Sequence, residues 1–294
     1  MKRLYSCLLL VFPAITFSQL PECDIWLMNI TNKGGKIGFD HIKNITRKNG
    51  YENQPSFSAD GKTIYFTKQS DTTAGSDIYA YDLAGGQIKQ VTFSATSEYS
   101  PMITPAGDAI SVVMVEEDKA QRIWQYPFSG DKPTRIFQRD SVGYYAWINE
   151  HSVLAFILSD GKTMAERLAV ISNNGTEKKL ADSIGRGIKV FGSSALFVKK
   201  IRLENYLYLT DYSGIQPLVK TPGKSQDFAV YKKYVLMADG GLVYAAKMHL
   251  KNHEIVGLDP FVPVMDLAPY GMKKISRIAV SPNGKTMAVV TEDK

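Results

Sequence analysis

The chain has 294 residues, and its 35 Lys and Arg residues against 29 Asp and Glu residues give a formal net charge of +6. The basic residues form neither a dense run nor a helical stripe, which indicates a solvated mixed-charge surface and argues against a nucleic-acid-binding protein. Two cysteines without a Cys/His ligand pattern argue against a zinc site. We therefore expect no metal and no cofactor.

The N-terminus has the pattern of a secretory signal peptide. Lys2 and Arg3 precede an apolar run over residues 4–12, and the small residues Thr16 and Ser18 stand at positions −3 and −1 of a cleavage site. The run is too short to span a bilayer. We predict a signal peptide over residues 1–18 and a single exported domain over residues 19–294, periplasmic or secreted, with no transmembrane segment after cleavage. Cleavage lowers the net charge to +4.

Neither cysteine is expected to form an intramolecular disulfide. Cys7 leaves with the signal peptide, and Cys23 then remains as a lone thiol at the start of the apolar run CDIWLMNI. A small packed side chain is the prediction for such a position. The residues before both cysteines lack the small-residue box of a lipidation site, so a lipid anchor is not expected.

One stretch, QPSFSADGKTIYF at residues 54–66, returns along the chain as a repeat. Pro55 suits the first residue of a strand, and Asp60 with Gly61 predicts a tight turn before the return strand. Each copy is anchored by one apolar residue, which we expect in the core between neighbouring blades: Phe57, Ile103, Trp147, Val190, Phe228 and Val280. Their mean spacing of about 45 residues is typical of four-stranded propeller blades.

Each copy continues with a third and a fourth strand, and no apolar pattern of helical period persists over a dozen residues. The last copy supplies two strands only. Residues 23–46 resemble the third and fourth strands at residues 76–92, with a Gly-Gly turn in both. We therefore predict an all-β, six-bladed β-propeller closed by pairing of the N-terminal strands with the C-terminal blade, which removes an open sheet edge. We expect a monomer.

These repeats resemble the WD-like β-propeller repeats of the TolB type, a family of bacterial exported six-bladed propellers. The clearest copies are QPSFSADGKTIYF, YSPMITPAGDAISV and IAVSPNGKTMAVV, and the resemblance covers nearly the whole predicted mature chain. It implies the propeller, export and a binding role in the cell envelope. It does not imply a part in the TolB translocation system, because the residues before Cys23 leave no room for the additional N-terminal domain of TolB.

Catalytic patterns are weak. His249 and His253 are four residues apart, but together with His41 and His151 they fall in predicted turns, where this spacing does not form a metal site. A GxSxG nucleophile elbow is absent from the sequence. The acidic run at residues 116–118 is predicted to be a solvated hairpin loop.

The residues that precede the first strand of each predicted blade are more informative about a binding site. In a propeller the first strands line the central channel, so residues far apart in sequence meet at one mouth. We predict a ligand-binding site at this channel mouth, formed by Gln54, Glu98, Tyr99, Tyr144, Arg186, Asp227 and Arg277. The alternative is that these groups satisfy one another's hydrogen bonds and line a water-filled channel.

Three functional classes follow. The first is an exported non-catalytic propeller that binds an envelope protein, peptide or glycan at the channel mouth. The second is a propeller enzyme, such as a metal-dependent lactonase or lyase, which would need inward His or several carboxylates on one metal. The third is the accessory propeller of a prolyl-peptidase-like hydrolase, which would require a following α/β domain.

Overall fold

The computed structural model describes residues 20–47, 50–69, 75–161 and 165–292, and it shows six antiparallel sheets arranged as the blades of a propeller. Five sheets have four strands and one has five. The all-β, six-bladed prediction is therefore confirmed. The predicted signal peptide at residues 1–18 lies outside the described residues.

The chain begins with two strands, β1 (Asp24–Lys33) and β2 (Lys36–Asn44). Blade 1 consists of β3 (Glu52–Phe57), β4 (Thr63–Gln69), β5 (Ser76–Asp82) and β6 (Ile88–Gln90). Blade 2 consists of β7 (Ser97–Ile103), β8 (Ala109–Val115), β9 (Gln121–Pro127) and β10 (Thr134–Arg135). Blade 3 consists of β11 (Val142–Asn149), β12 (Ser152–Ile157), β13 (Arg167–Ser172) and β14 (Glu177–Asp182).

The second half of the chain follows the same plan. Blade 4 consists of β15 (Ile184–Phe191), β16 (Ser194–Ile201), β17 (Glu204–Thr210) and β18 (Ile215–Lys220). Blade 5 consists of β19 (Phe228–Tyr231), β20 (Tyr234–Asp239), β21 (Leu242–Lys251), β22 (Glu254–Leu258) and β23 (Val262–Asp266). A 3-10 helix (Ala268–Tyr270) leads to β24 (Ile275–Val280) and β25 (Thr286–Thr291).

Blade 6 is built from both ends of the chain. Its strand order is β2, β1, β25, β24, and β1 pairs antiparallel with β25 from Asp24 opposite Thr291 to Asn29 opposite Thr286. The predicted closure of the ring by the N-terminal strands is confirmed. Closure gives every blade a neighbouring blade on each side.

The repeated turn is held by its own side chains. In blade 1, Asp60 Oδ1 accepts hydrogen bonds from Ser58 Oγ at 2.7 Å and from the Lys62 amide at 3.0 Å. In blade 6, Asn283 Oδ1 accepts the equivalent bonds from Ser281 Oγ and the Lys285 amide. This is the local Asx bonding that makes such sequences favour turns.

Blade 5 differs from the other blades in its outer part. The long strand β21 pairs with β22 through residues 248–251 and with β23 through residues 242–245, so two strands share one edge. The additional strand and the 3-10 helix explain the longest interval between predicted repeats. They were not predicted, because VPVMD contains a proline and carries no distinct strand alternation.

Apolar clusters fill the space between neighbouring blades. The largest joins blades 5 and 6 and includes Met28, Tyr231, Leu236 and Val289, all nearly inaccessible to solvent. Five further clusters occupy the other blade interfaces among the described residues. Cys23, predicted to be a small packed residue, is buried in the interface between blades 6 and 1. Burial raises the pKa of its thiol to about 12.

The repeat anchors were expected in these interface cores, and most of them lie at the margin of the cores, between the apolar clusters and the centre of the ring. Five anchors are only partly buried and line a central cavity: Phe57, Ile103, Trp147, Val190 and Val280. Phe228 is fully buried between blades 4 and 5 instead. The β19–β20 hairpin turn is short, so that Val230, opposite Val235, takes the place that Phe57, opposite Ile64, has in blade 1.

Candidate functional site

A cavity of about 550 Å³ lies at the centre of the ring and is lined by residues from the innermost strand of every blade. These strands are β3, β7, β11, β15, β19 and β24, each at one edge of its sheet. The volume falls within the range of about 300–1,000 Å³ that is usual for ligand pockets. The cavity is therefore the first candidate for a binding site.

Irregular pairing near the N-terminal ends of the innermost strands decides which side chains enter the cavity. Five of the six strands have a register shift there. Gln54 and Ser100, at equivalent places in blades 1 and 2, have positive φ angles of 57° and 54°. A bulge of this kind bends the strand and changes the direction of a side chain.

Arg277 is held against Tyr144 at this end of the cavity. Its guanidinium carbon lies 4.9 Å from the centre of the Tyr144 ring, and its Nη2 donates a hydrogen bond to the Tyr144 hydroxyl at 3.0 Å. Burial alone would lower the pKa of Arg277, but the interactions with Tyr144 and Asp227 outweigh it and the pKa is raised. Arg277 is thus a fixed, charged group.

Arg186 lies beside it with fewer partners. Its Nη2 donates to the carbonyl oxygen of Ser276, whereas its buried Nε has no hydrogen-bond partner among the described residues. Burial and the charge of Arg277 lower the pKa of Arg186. Within the described ranges, neither guanidinium forms an ion pair with a carboxylate. Two cations therefore share one end of the cavity without a counter-ion in contact.

Asp227 and Gln54 line the cavity but also connect neighbouring blades. Asp227 accepts hydrogen bonds from the Phe228 amide at 3.0 Å and, across the interface between blades 5 and 6, from the Ile278 amide at 3.3 Å. Gln54 Oε1 accepts a hydrogen bond from the Ser100 amide at 2.7 Å across the interface between blades 1 and 2. Both residues thus have hydrogen-bond partners within the protein. This agrees with the alternative stated above, in which these groups satisfy hydrogen bonds of the fold rather than bind a ligand.

Glu98 and Tyr99 do not line the cavity, which corrects their predicted position. Glu98 is fully buried between blades 1 and 2, where its carboxylate accepts hydrogen bonds from Thr92 Oγ1 and the Tyr126 hydroxyl. Tyr99 packs edge-on against Tyr51, with ring centres 6.4 Å apart. The register shift after Tyr99 turns these side chains away from the cavity.

The buried carboxylate of Glu98 predicts a pH-dependent component of stability. Burial raises the pKa of Glu98 above its usual value of 4.5, and the bonds from Thr92 and Tyr126 offset this only in part. Because the folded state binds this proton more tightly, the contribution is fully present below pH 4.5 and is lost as pH rises through the folded-state pKa.

Glu98→Gln should therefore gain stability relative to the wild type as the pH is raised from 4.5 to 8. Urea unfolding at several pH values measures the difference, with the exposed Glu117→Gln as the matched control. If the free energy of unfolding of Glu98→Gln differed from that of the wild type by the same amount at every pH, the pKa of Glu98 would not be raised by folding.

The walls of the cavity are mostly apolar and extend to the opposite face of the ring. Pro105 and Pro282, in the hairpin turns after β7 and β24, line the cavity at that face. Val142 and Ile184, at the N-terminal ends of their strands, are fully buried and do not line it. The binding mouth was predicted at the N-terminal ends, whereas the structure extends the cavity toward the hairpin turns.

Sequence reasoning missed the apolar wall, because the repeat anchors were assigned to the blade cores. The wall includes Met102, Trp147, Ile148, Ile188, Val230 and Ile278. The available signal was the anchor itself, which recurs near the C-terminal end of each innermost strand. In a propeller, that place faces either a neighbouring blade or the channel.

The histidines and the acidic run considered in the sequence analysis do not form a catalytic or metal site among the described residues. His249 lies within β21 rather than in a turn, and its Nε2 is 2.6 Å from Asp259 Oδ1. His41 lies within β2, also contrary to the prediction, while His151 and His253 are in turns as predicted. In the acidic run at residues 116–118, Glu116 is not merely solvated, because it forms a 2.7 Å ion pair with Arg122. No group of three or more His, Cys, Asp or Glu side chains placed to hold a metal ion occurs among the described residues.

Comparisons with known proteins agree with the fold. A family model described as "TolB beta propeller domain" matches residues 13–186. "Tol-Pal system protein TolB" of Francisella tularensis is 27% identical over 88 residues, which cover 30% of this chain and 20% of that protein. The matched region thus spans only a fifth of the curated relative.

No helix in the described part of the chain is both long and apolar enough to cross a membrane.

Two solved structures share the architecture. A putative TolB from Agrobacterium tumefaciens has a TM-score of 0.68 and 15% identity, with coverage of 92% of this chain and 98% of that chain. An oligogalacturonate lyase in complex with manganese has a TM-score of 0.54 and 11% identity, with coverage of 91% and 77%. Similarity at this level of identity shows the fold alone.

Proposed function

Because this chain belongs to the TolB beta propeller domain family, we propose that it is an exported, non-catalytic propeller that binds an envelope partner in its central cavity. The partner is a protein, a peptide or a glycan. Fold and family alone leave the function open, so the proposal depends on the site.

The observation that carries the proposal is the pair of guanidinium groups at one end of the cavity. Arg186 and Arg277 are largely removed from water, and neither has a carboxylate in contact within the described ranges. Asp227 offsets part of this charge without contacting either guanidinium, and burial of the remaining charge is costly. A ligand with an anionic group would offset this cost, since a guanidinium binds carboxylates and phosphates through paired hydrogen bonds.

The composition of the lining favours binding over catalysis. Among the described residues that line the cavity, Asp227 is the only carboxylate and no histidine is present. Asp227 already accepts two backbone hydrogen bonds. A metal-dependent lactonase or lyase would need several such ligands directed at one metal ion.

Export is part of the proposal and rests on the sequence of residues 1–18. We propose that residues 19–294 act as a single monomeric propeller domain in the periplasm or outside the cell. Cell fractionation of the full chain and light scattering of the purified protein measure location and oligomeric state.

Arg186→Ala and Arg277→Ala should each abolish partner capture while the protein still unfolds cooperatively. The test is a crosslinking pull-down from the native envelope, with the exposed Arg202→Ala as the matched control. Loss of the stacking between Arg277 and Tyr144 should cost no more than about 2 kcal/mol, because cation–π contacts are worth about 0.5–2 kcal/mol.

Retention of the wild-type partners by both variants would move the site away from the cavity. Turnover of oligogalacturonate or a lactone by the purified protein with added manganese would instead support the enzymatic alternative.

A further inference from the structure

Charge and apolar surface are unevenly distributed along the central cavity. Arg186 and Arg277 lie at the end formed by the N-terminal halves of the innermost strands. A mostly apolar wall, in which Lys189 is the one further charged side chain, extends from there to the hairpin turns at Pro105 and Pro282. A ligand that matches this arrangement has one anionic head and an apolar body. It would enter from the hairpin-turn face with its head first.

We propose that the cavity binds the C-terminal carboxylate of a polypeptide whose last residues are apolar. This inference rests on the proposed binding function and specifies which part of a partner is recognised. The carboxylate lies between Arg186 and Arg277, and the preceding side chains pack on the cavity wall.

Unused hydrogen-bonding groups at the charged end support a carboxylate. The buried Arg186 Nε has no hydrogen-bond partner among the described residues, and neither does the buried Oγ of Ser100, which also lines the cavity. A carboxylate has two oxygens and about four acceptor positions, so it can satisfy several donors at once. Bidentate contact with a guanidinium adds geometric selectivity for its planar shape.

The wall argues for a peptide end rather than a glycan. Most wall residues, such as Met102, Ile188 and Val230, offer no side-chain hydrogen bonds to a ligand, and Lys189 is the exception. Most hydroxyl groups of a uronate sugar would lose their bonds to water on this surface without replacement, which weakens binding. Apolar side chains gain free energy on the same surface.

The ends of the cavity argue for a chain terminus rather than an internal acidic side chain. The lining of β11 and β15 begins at Tyr144 and Arg186, because Val142 and Ile184, before them, are buried in the cores between blades. A chain that enters from the hairpin-turn face and carries its anion at its tip reaches the arginines in extended form. An internal Asp or Glu would require the chain to turn inside the cavity and return.

The test compares two pools of acetylated hexapeptides whose last three residues are Leu, Ile, Val or Phe, one pool as free acids and the other as C-terminal amides. Isothermal titration of the purified wild-type protein should show at least tenfold weaker binding of the amides. Arg277→Ala or Arg186→Ala should remove the preference for the free acid, and Arg202→Ala should keep it. The wild-type comparison of acid and amide needs no variant, so it holds even if an arginine variant fails to fold.

Three further probes distinguish other ligands with the same head group. Free-acid hexapeptides ending in Ser and Asn test the apolar wall, decanoate tests a lipid chain, and trigalacturonate tests a uronate glycan. All three should bind at least tenfold more weakly than the apolar free acids. Equal binding of acid and amide, or stronger binding of any of these three probes, would overturn the proposal.

The position of the bound peptide can be read from Trp147, which lines the wall. The apolar free acids should change the tryptophan emission of the wild type, and Trp147→Phe should lose this change. Binding without any change at Trp147 would place the peptide outside the cavity. Peptide binding together with an empty envelope pull-down would contradict only the proposed envelope partner, whereas envelope capture without acid selectivity would contradict only this inference.

Discussion

Deletion of residues 19–46 is expected to abolish the cooperatively folded state, because it removes β1 and β2 from blade 6. The lost strands contribute five buried apolar side chains: Ile25, Leu27, Met28, Ile37 and Phe39. At about 1.5–3 kcal/mol each, their burial contributes about 7–15 kcal/mol. That is as large as the whole stability of a typical domain, about 5–15 kcal/mol. The deletion also exposes β25 as an open edge, which favours aggregation.

A circular permutant provides the matched control for this deletion. Asp24 of β1 lies opposite Thr291 of β25 in an antiparallel pair, so a short Gly-Ser loop can join residue 292 to residue 23. With its new N-terminus at residue 50, the permutant retains all four strands of blade 6 and should fold. Thermal unfolding and light scattering measure both proteins. A deletion variant that stays monomeric with the Tm of the wild type would show that the ring does not depend on this pairing.

Trp147→Ala should destabilise the protein by about 3 kcal/mol, the lower end of the range of about 3–5 kcal/mol for truncation of a buried aromatic residue. The lower value is expected because one side of Trp147 faces the cavity. Its other side packs against Phe137, with ring centres 5.7 Å apart, and its Nε1 donates to Ser111 Oγ at 3.0 Å. The urea midpoint at constant m-value measures the change.

Two control variants separate packing from hydrogen bonding at this position. Trp147→Phe retains a ring but loses the bond to Ser111, and should cost about 1 kcal/mol. Phe93→Ala removes an aromatic side chain that is 78% exposed, and should stay within about 0.5 kcal/mol. If Trp147→Ala and Phe93→Ala unfold at the same urea concentration, Trp147 does not stabilise the interface between blades 2 and 3.

Local sequence signals were sufficient to predict the strands and turns of the blades. The tight turn at Asp60 and Gly61 uses bonds between residues two or three apart, and the strands that follow alternate with period two, so both features are legible in one copy of the repeat. The similarity of residues 23–46 to residues 76–92 predicted the shared blade for the same reason. Repetition then gave the number of blades, because each copy is one sheet.

The cavity could not be predicted in the same way, because its lining depends on the register between strands. A shift of one residue moves a side chain to the other face of a strand. Four innermost strands have such a shift near their N-terminal ends, and β15 has a shift of two residues there. Glu98 and Arg186 were predicted to share one mouth, yet Glu98 is buried between blades and Arg186 lines the cavity. The sequence by itself determined the six-bladed closed ring, whereas only the tertiary structure decided which residues meet at its centre, since bulges and hairpin lengths are settled by packing between neighbouring blades.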